Sequence, residues 1–351
     1  MIAKTIFGTI KRHMDKKGVL LVNLGTPDSP STANVRKYLD EFLMDERVID
    51  INPVSRTMLV KGIIVPFRGP KSAKLYREIW SDTTGSPLMH YSLIQKDLLQ
   101  QRLGDDYQVE LAMRYQSPSI ESALNKLKDA QVSSIKVLPM FPHYASASTG
   151  SVMEKVMELV RKWQTIPNIS FINSFHDNDL MMEAFADNGR KYKPETYDHI
   201  LFSFHGLPQR QLVKSDHSQK HCLKIKNCCS VLTEDNKFCY SAQCHDTARL
   251  IAKKLSLTED RYTVCFQSRL GKDPWVQPYT SVVVEEMAKK GIKRLLVFCP
   301  AFVADCLETV YEVSIEYGDE FKTLGGEHVQ LVESLNDHPL WIEAMQGMVK
   351  D

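Results

Sequence analysis

A chain of 351 residues, 43% hydrophobic and 25% charged, has the composition of a soluble globular protein long enough for two domains. Its 44 basic and 43 acidic side chains leave a formal net charge of +1, so nothing in the balance calls for a nucleic-acid partner. No apolar run reaches the length of a membrane span, and residues 1–17 lack the apolar core and small-residue cleavage site of a secretory signal. That extension reads as a weakly ordered end or a short amphipathic surface helix, and the expected location is the cytoplasm.

The first predicted strand is Gly18–Leu24, a buried-strand pattern stopped by Gly25-Thr26-Pro27. Asp28-Ser29-Pro30 reads as a loop into a helix starting near Thr32 or Ala33. No G-x-G-x-x-G or G-x-x-x-x-G-K follows the strand, which disfavours a nicotinamide-dependent enzyme. Between Met44 and Phe67, the residues Val54, Met58, Leu59, Val60, Ile63, Ile64, Val65 and Phe67 are interrupted by Arg56 and Lys61. This segment is either a buried amphipathic helix or an exposed apolar lip. Next come a strand at Tyr107–Arg114, a helix at Ile120–Ala130 and a strand at Ile135–Met140.

The second half echoes the first. His199–Phe204 is stopped by Gly206-Leu207-Pro208, Tyr262–Arg269 matches Tyr107–Arg114 in its Tyr, Val and Arg positions, and Thr280–Lys290 leads to Ile292–Phe298. Short apolar runs separated by helix-length segments predict parallel sheets with helices on both faces. The expected class is therefore α/β, with two similar Rossmann-like domains, each a parallel sheet flanked by helices, and the active-site cleft between them. The expected boundaries are 1–17 for the extension, 18–190 for the first domain with its lip, 191–335 for the second, and 336–351 for a C-terminal segment packing back on the first domain.

Side chains just past the carboxyl end of a parallel strand line the ligand crevice. His205 stands there in the second half, and the loop after Phe298 adds Asp305, Cys306 and Glu308. A base and a carboxylate pair across a cleft are parts for proton transfer or for guiding a metal. The plainer alternative is a capped strand end and a helix N-terminus with Asp305 as its cap. The eight cysteines are uneven: none occurs in 1–221, whereas Cys222, Cys228, Cys229, Cys239 and Cys244 fall in one stretch. Without a secretion signal, such a cluster points to a metal site before a disulfide framework.

Leu21-Val22-Asn23-Leu24-Gly25-Thr26-Pro27, Gly85-Ser86-Pro87-Leu88, Ala112-Met113-Arg114-Tyr115, Phe141-Pro142-His143-Tyr144, Phe202-Ser203-Phe204-His205-Gly206-Leu207-Pro208, Phe266-Gln267-Ser268-Arg269 and Phe302-Val303-Ala304-Asp305-Cys306-Leu307-Glu308-Thr309 together resemble the ferrochelatase family. The resemblance runs from about Gly18 to Leu340. It implies a lyase of haem biosynthesis that inserts Fe²⁺ into protoporphyrin IX, with porphyrin and ferrous iron as its partners. Metallation must remove two pyrrole protons, and imidazole titrates near neutrality. The resemblance makes His205 the proton acceptor, with metal contact as the competing role, and Glu308 a metal guide or proton relay. Asp305, three residues earlier, would share a helix face with Glu308. Many relatives carry histidine where Cys306 stands, which puts a two-histidine relay in doubt.

The same resemblance implies that Leu24, Phe302 and Trp275 pack on or beside the macrocycle. Arg68, Tyr76 and Ser86 match positions on the propionate side, and Arg114, Tyr115 and Tyr144 positions in the pocket. It makes Met44–Phe67 a lip that touches a membrane, so peripheral contact at the inner membrane joins the cytoplasmic expectation. The segment Ser218–Phe238 looks inserted, giving a cysteine-rich stretch over 218–244. Four of its five thiols are expected to hold a [2Fe–2S] cluster, with structural zinc as the alternative. Spacing leaves open which thiol is spare, and monomer and homodimer also stay open. The competing functions are an iron–sulfur redox or sensor protein, a porphyrin carrier, and a chelatase for another tetrapyrrole such as coproporphyrin.

Overall fold

The computed structural model describes residues 16–271 and 273–350, so the readings made for the N-terminal extension fall almost wholly outside the described residues. In the first half, β1 (Lys17–Gly25), β2 (Tyr107–Tyr115), β3 (Ser134–Pro139) and β4 (Asn168–Phe171) form a sheet in the order β2-β1-β3-β4. All pairs are parallel, with Leu21 opposite Leu111 on one side and Leu138 on the other. The run Val19–Val22 is fully buried because helices cover both faces of the central strand. In the second half, β5 (His199–His205), β6 (Tyr262–Gln267), β7 (Arg294–Phe298) and β8 (His328–Leu331) repeat the order as β6-β5-β7-β8, again parallel. The likeness extends to the turns: the Met113 N–H donates to the Pro118 carbonyl (2.7 Å), as the Phe266 N–H does to Pro278 (2.9 Å).

The first-half helices are α1 (Thr32–Leu43), α2 (Pro53–Thr57), α3 (Val65–Ile79), α4 (Pro87–Leu103), α5 (Ile120–Asp129), α6 (Ser151–Val160) and α7 (Asp179–Arg190). Ser31 starts α1 by accepting from the Asn34 N–H. The second half contributes α8 (Gln209–Ser215), α9 (Tyr240–Lys254), α10 (Thr280–Lys289), α11 (Gly318–Thr323) and α12 (Pro339–Lys350). Three wider π-helical stretches, Met58–Ile64, Ser146–Gly150 and Leu307–Tyr317, were not anticipated from the sequence.

One apolar core spans both halves, joining Leu21, Met113 and Phe185 to Phe202, Phe298 and Trp341. At its centre α7 lies so close to β7 that a Cβ on Gly189 would sit 2.4 Å from Phe298 Cζ. The last helix, α12, packs on α4 and α7: Trp341 stacks on Phe175, and Gln346 Nε2 donates to the Arg102 carbonyl. In the segment 53–67, Val60 points inward, whereas Val54, Met58, Ile63 and Phe67 are 68%, 68%, 57% and 71% exposed. Of the two readings made for that segment, the exposed apolar lip is the one that fits. No helix among the described residues is long and apolar enough to cross a membrane.

Candidate active site and thiol segment

β5 ends at His205, and the residue after it has no room for a side chain. A Cβ on Gly206 would lie 2.8 Å from the Gln267 carbonyl oxygen and 3.1 Å from Trp275 Cε3. The Gly206 N–H instead donates to the Gln267 carbonyl (2.8 Å). His205 Nδ1 lies 2.7 Å from the Gly206 carbonyl oxygen. A carbonyl only accepts, so Nδ1 carries the proton of the neutral ring and Nε2 keeps its lone pair. Trp275 and Phe302 flank the imidazole, with ring centroids at 6.5 and 6.4 Å.

Glu308 lies in the first turn of the π-helix Leu307–Tyr317. Gln267 ties that helix to the end of β5. Its Nε2 donates to the Glu308 carbonyl (2.8 Å) and to Glu312 Oε2 (3.1 Å), while its Oε1 accepts from Ser203 Oγ (2.6 Å). Glu312 also accepts from the Ser268 N–H and hydroxyl and from Tyr317. Burial first, then the Glu308 charge, pushes Tyr76 well above the ordinary phenol range, and the same two causes push the Cys306 thiol up. Tyr38 rises through burial, Tyr76 and Glu308 in that order. The Tyr38 and Tyr76 hydroxyls and the Cys306 thiol, which feel the Glu308 charge, therefore stay neutral.

Asp305 does not share a helix face with Glu308. The helix starts at Leu307, with Cys306 as its N-cap, and the Asp305 carboxylate turns toward the chain's last segment. It accepts from Thr309 Oγ1 (2.9 Å), the Ser334 N–H (3.2 Å) and Asn336 Nδ2 (2.7 Å), and is buried. Its observed work is to fasten the loop after β7.

The other expected contacts fall into separate places. Leu24 packs against the buried cluster that contains Tyr76 and Tyr115, as Leu307, Val310 and Tyr311 also do, and Ser86 Oγ accepts from Thr26 Oγ1 (2.9 Å). Arg68 is exposed on α3. Arg114 and Tyr115 are held by Asp45, through Arg114 Nη2 at 2.6 Å and the Tyr115 hydroxyl at 2.9 Å. Burial pushes the Asp45 carboxyl up, but hydrogen bonds from Ser151 and the Arg47 N–H, together with the Arg114 charge, hold it below its ordinary value. Tyr144 donates its N–H to Gln243 Oε1 (2.7 Å). An aromatic row, Tyr76–Tyr38–Phe42–Tyr115, links the Glu308 and Asp45 regions, with successive centroids 6.4, 5.9 and 5.2 Å apart. Sequence reasoning missed Tyr38, Gln267 and Glu312; only Glu312, four residues past Glu308, carried a spacing signal.

Asp216 organises the thiol segment by accepting from Ser218 Oγ and from the N–H groups of Cys222 and His221, which hold its carboxyl far below the usual range. Cys222 neighbours Cys239, Cys239 neighbours Cys229, and the Cys229 and Cys228 sulfurs are 3.8 Å apart. The contact with Cys239 lowers the Cys222 thiol and in turn raises Cys239 to about 11. Cys244 instead lies inside α9, fully buried in the main core against Tyr240. Four soft donors thus adjoin one another while the fifth is buried in the core, a donor set that suits iron–sulfur or zinc. As they stand, however, no group of three or more His, Cys, Asp or Glu side chains among the described residues is arranged to hold a metal ion.

Twin parallel sheets of one strand order, with a histidine at one strand end and a glutamate on the π-helix tied to that strand through Gln267, define an α/β protein of the chelatase fold. SirB from Bacillus subtilis with Fe³⁺ has that fold: it superposes with a TM-score of 0.51 over 95% of this chain and 94% of its own, at 12% identity. The profile of the ferrochelatase family matches residues 16–351. The chain is 46% identical over 343 residues to the ferrochelatase of Coxiella burnetii (strain Dugway 5J108-111), covering 97% of this chain and 94% of the relative. It is 44% identical over 336 residues to that of Legionella pneumophila (strain Lens), covering 96% and 99%. The chain belongs to the ferrochelatase family, and is a lyase that inserts iron into a porphyrin.

Proposed function

We propose that the enzyme inserts Fe²⁺ into protoporphyrin IX to give protohaem, with His205 as the pyrrole proton acceptor and Glu308 on the iron or proton path. The observation that carries this reading is the Nδ1–H bond of His205 to the Gly206 carbonyl, which leaves Nε2 free to take a proton. Each turnover removes two N–H protons as one ferrous ion enters the ring, so the charge of the metal-binding site is balanced by the protons released. Glu308 is the carboxylate beside the pocket's hydroxyls, weak enough as an iron ligand to release its cargo. Cys306, kept protonated by burial and by Glu308, is a bystander and not a base. Trp275, Phe302 and Leu24 supply the apolar surface for the macrocycle. Arg68, Tyr76 and Ser86 are assigned to its propionate side, and Arg114, Tyr115 and Tyr144 to the far wall.

The thiols of Cys222, Cys228, Cys229 and Cys239 are the proposed ligands of a [2Fe–2S] cluster, with zinc the alternative and Cys244 the spare. Such a group supplies ordering energy to a segment with little apolar content of its own. The exposed apolar lip fits peripheral contact with a bilayer, from which a poorly soluble porphyrin enters or leaves.

The test is anaerobic mixing of the purified protein with Fe²⁺ and either protoporphyrin or coproporphyrin, followed by the loss of porphyrin fluorescence. Turnover with protoporphyrin and a drop of at least tenfold in kcat for Glu308→Gln at unchanged porphyrin Kd are expected. Faster turnover with coproporphyrin would reassign the substrate, and a Glu308→Gln defect confined to Kd would make that residue a binding group.

A further inference from the structure

Between the thiol segment and the pocket stands a single helical turn. Cys239 is the N-cap of α9, with its N–H donating to the Asn236 carbonyl (2.8 Å) and its own carbonyl accepting from the Gln243 N–H (3.0 Å). Its thiol adjoins Cys222 and Cys229. The next residue, Tyr240, is buried and donates its hydroxyl to the main-chain carbonyl of His205 (2.7 Å). A carbonyl only accepts, so the phenol is the donor. Its ring is locked edge-on against His143 (5.8 Å), which in turn meets Phe204 (5.2 Å). Gln243, in the same turn, accepts from the Tyr144 N–H and donates to the Lys237 carbonyl, both at 2.7 Å.

We propose that Tyr240 is a positioning residue for His205, and that through it the seating of the thiol segment reaches the proton acceptor. The inference rests on His205 being that acceptor. A peptide followed by glycine turns easily, because glycine has no Cβ to resist it. The 205–206 peptide is pinned at both ends, its carbonyl by Tyr240 and its N–H by the Gln267 carbonyl. If that peptide turned, the Gly206 carbonyl would lose its aim at His205 Nδ1, and with it the tautomer that leaves Nε2 free. Cys239 sets where α9 begins, so a shift of its thiol moves Tyr240 directly.

Tyr240→Phe keeps the ring and removes only the donor. A neutral hydrogen bond of ordinary strength predicts a roughly fivefold fall in kcat, with porphyrin KM within about twofold. Cys239→Ser, which still caps a helix, should lower kcat in the parent but add less than about twofold in the Tyr240→Phe background. Amide hydrogen exchange of the peptide containing Gly206, measured without porphyrin or iron, should accelerate in both variants while exchange in β1 stays unchanged. Parent-like kcat and exchange in Tyr240→Phe, fully additive effects, or a fall in kcat matched by a general loss of protection would overturn the proposal. His205→Ala is run alongside. If it keeps turnover, the acceptor reading fails and takes this inference with it; if it is inactive while Tyr240→Phe is normal, only the inference fails.

Discussion

Gln267 is the joint between the strand that presents His205 and the helix that presents Glu308, so its side chain should matter to both folding and turnover. Gln267→Leu keeps nearly the same volume but loses every side-chain hydrogen bond. The bonds lost are those from Ser203 Oγ (2.6 Å) and, weakly, the Cys299 thiol (3.7 Å), and those to the Glu308 carbonyl (2.8 Å) and to Glu312 Oε2 (3.1 Å). At about 1 kcal/mol for each neutral bond and more for the one to a carboxylate, the cost is roughly 3–4 kcal/mol. The main-chain bond from Gly206 survives, so His205 should stay near its place while the first turn of the π-helix loosens. Urea unfolding should therefore show a midpoint shift equivalent to roughly 3 kcal/mol, and steady-state assay at a temperature where the variant is folded should show kcat reduced more than tenfold. A shift below about 1 kcal/mol together with parental kcat would refute the idea that Gln267 couples the two elements.

Three further outcomes follow from the same geometry. Burial, helped by the Arg249 charge, pushes His245 down to about 4, so its neutral form is favoured in the fold. Its contribution is complete above about pH 6.5 and lost as pH falls from there toward 4; at pH 5 the loss is about 2 kcal/mol. The stability difference between pH 7.5 and 5 should shrink by that amount in His245→Phe, and an unchanged difference would contradict the reading. For the thiols, Cys239→Ser should abolish the visible absorption of a red-brown protein while Cys244→Ser keeps it. A colourless parent containing one equivalent of zinc would replace the cluster with the alternative metal. At the lip, Met58→Ser with Phe67→Ser should reduce sedimentation with phospholipid vesicles at least fivefold; equal sedimentation would remove the lip from membrane contact.

The central strands were legible because a strand buried on both faces must be largely apolar along its length, as Val19–Val22 and Ile200–Phe202 are. Their duplication was legible for the same reason. The edge strands β4 and β8 were not, since four half-exposed residues carry no unbroken apolar run. The π-helices follow no pattern that a period of 3.6 residues detects. Asp305 shows the limit at the site: its spacing from Glu308 suggested a shared face, but its partners Ser334 and Asn336 are about thirty residues away in sequence. Arg114 likewise has a partner distant in sequence, Asp45, which no local pattern announces. The order of five nearby cysteines carries no signal of their burial, whereas the helix that carries Cys244 turns it into the core.

The account stands most directly on His205. Porphyrin contacts are spread over many apolar groups, so His205→Ala should still bind protoporphyrin with a Kd within a few fold of the parent, read from the shift of the Soret band. Single-turnover mixing of that complex with Fe²⁺ under anaerobic conditions should then give no protohaem on the parental timescale. Protohaem formed at the parental rate would show that another group takes the pyrrole protons, and the proton-acceptor role of His205 would be wrong.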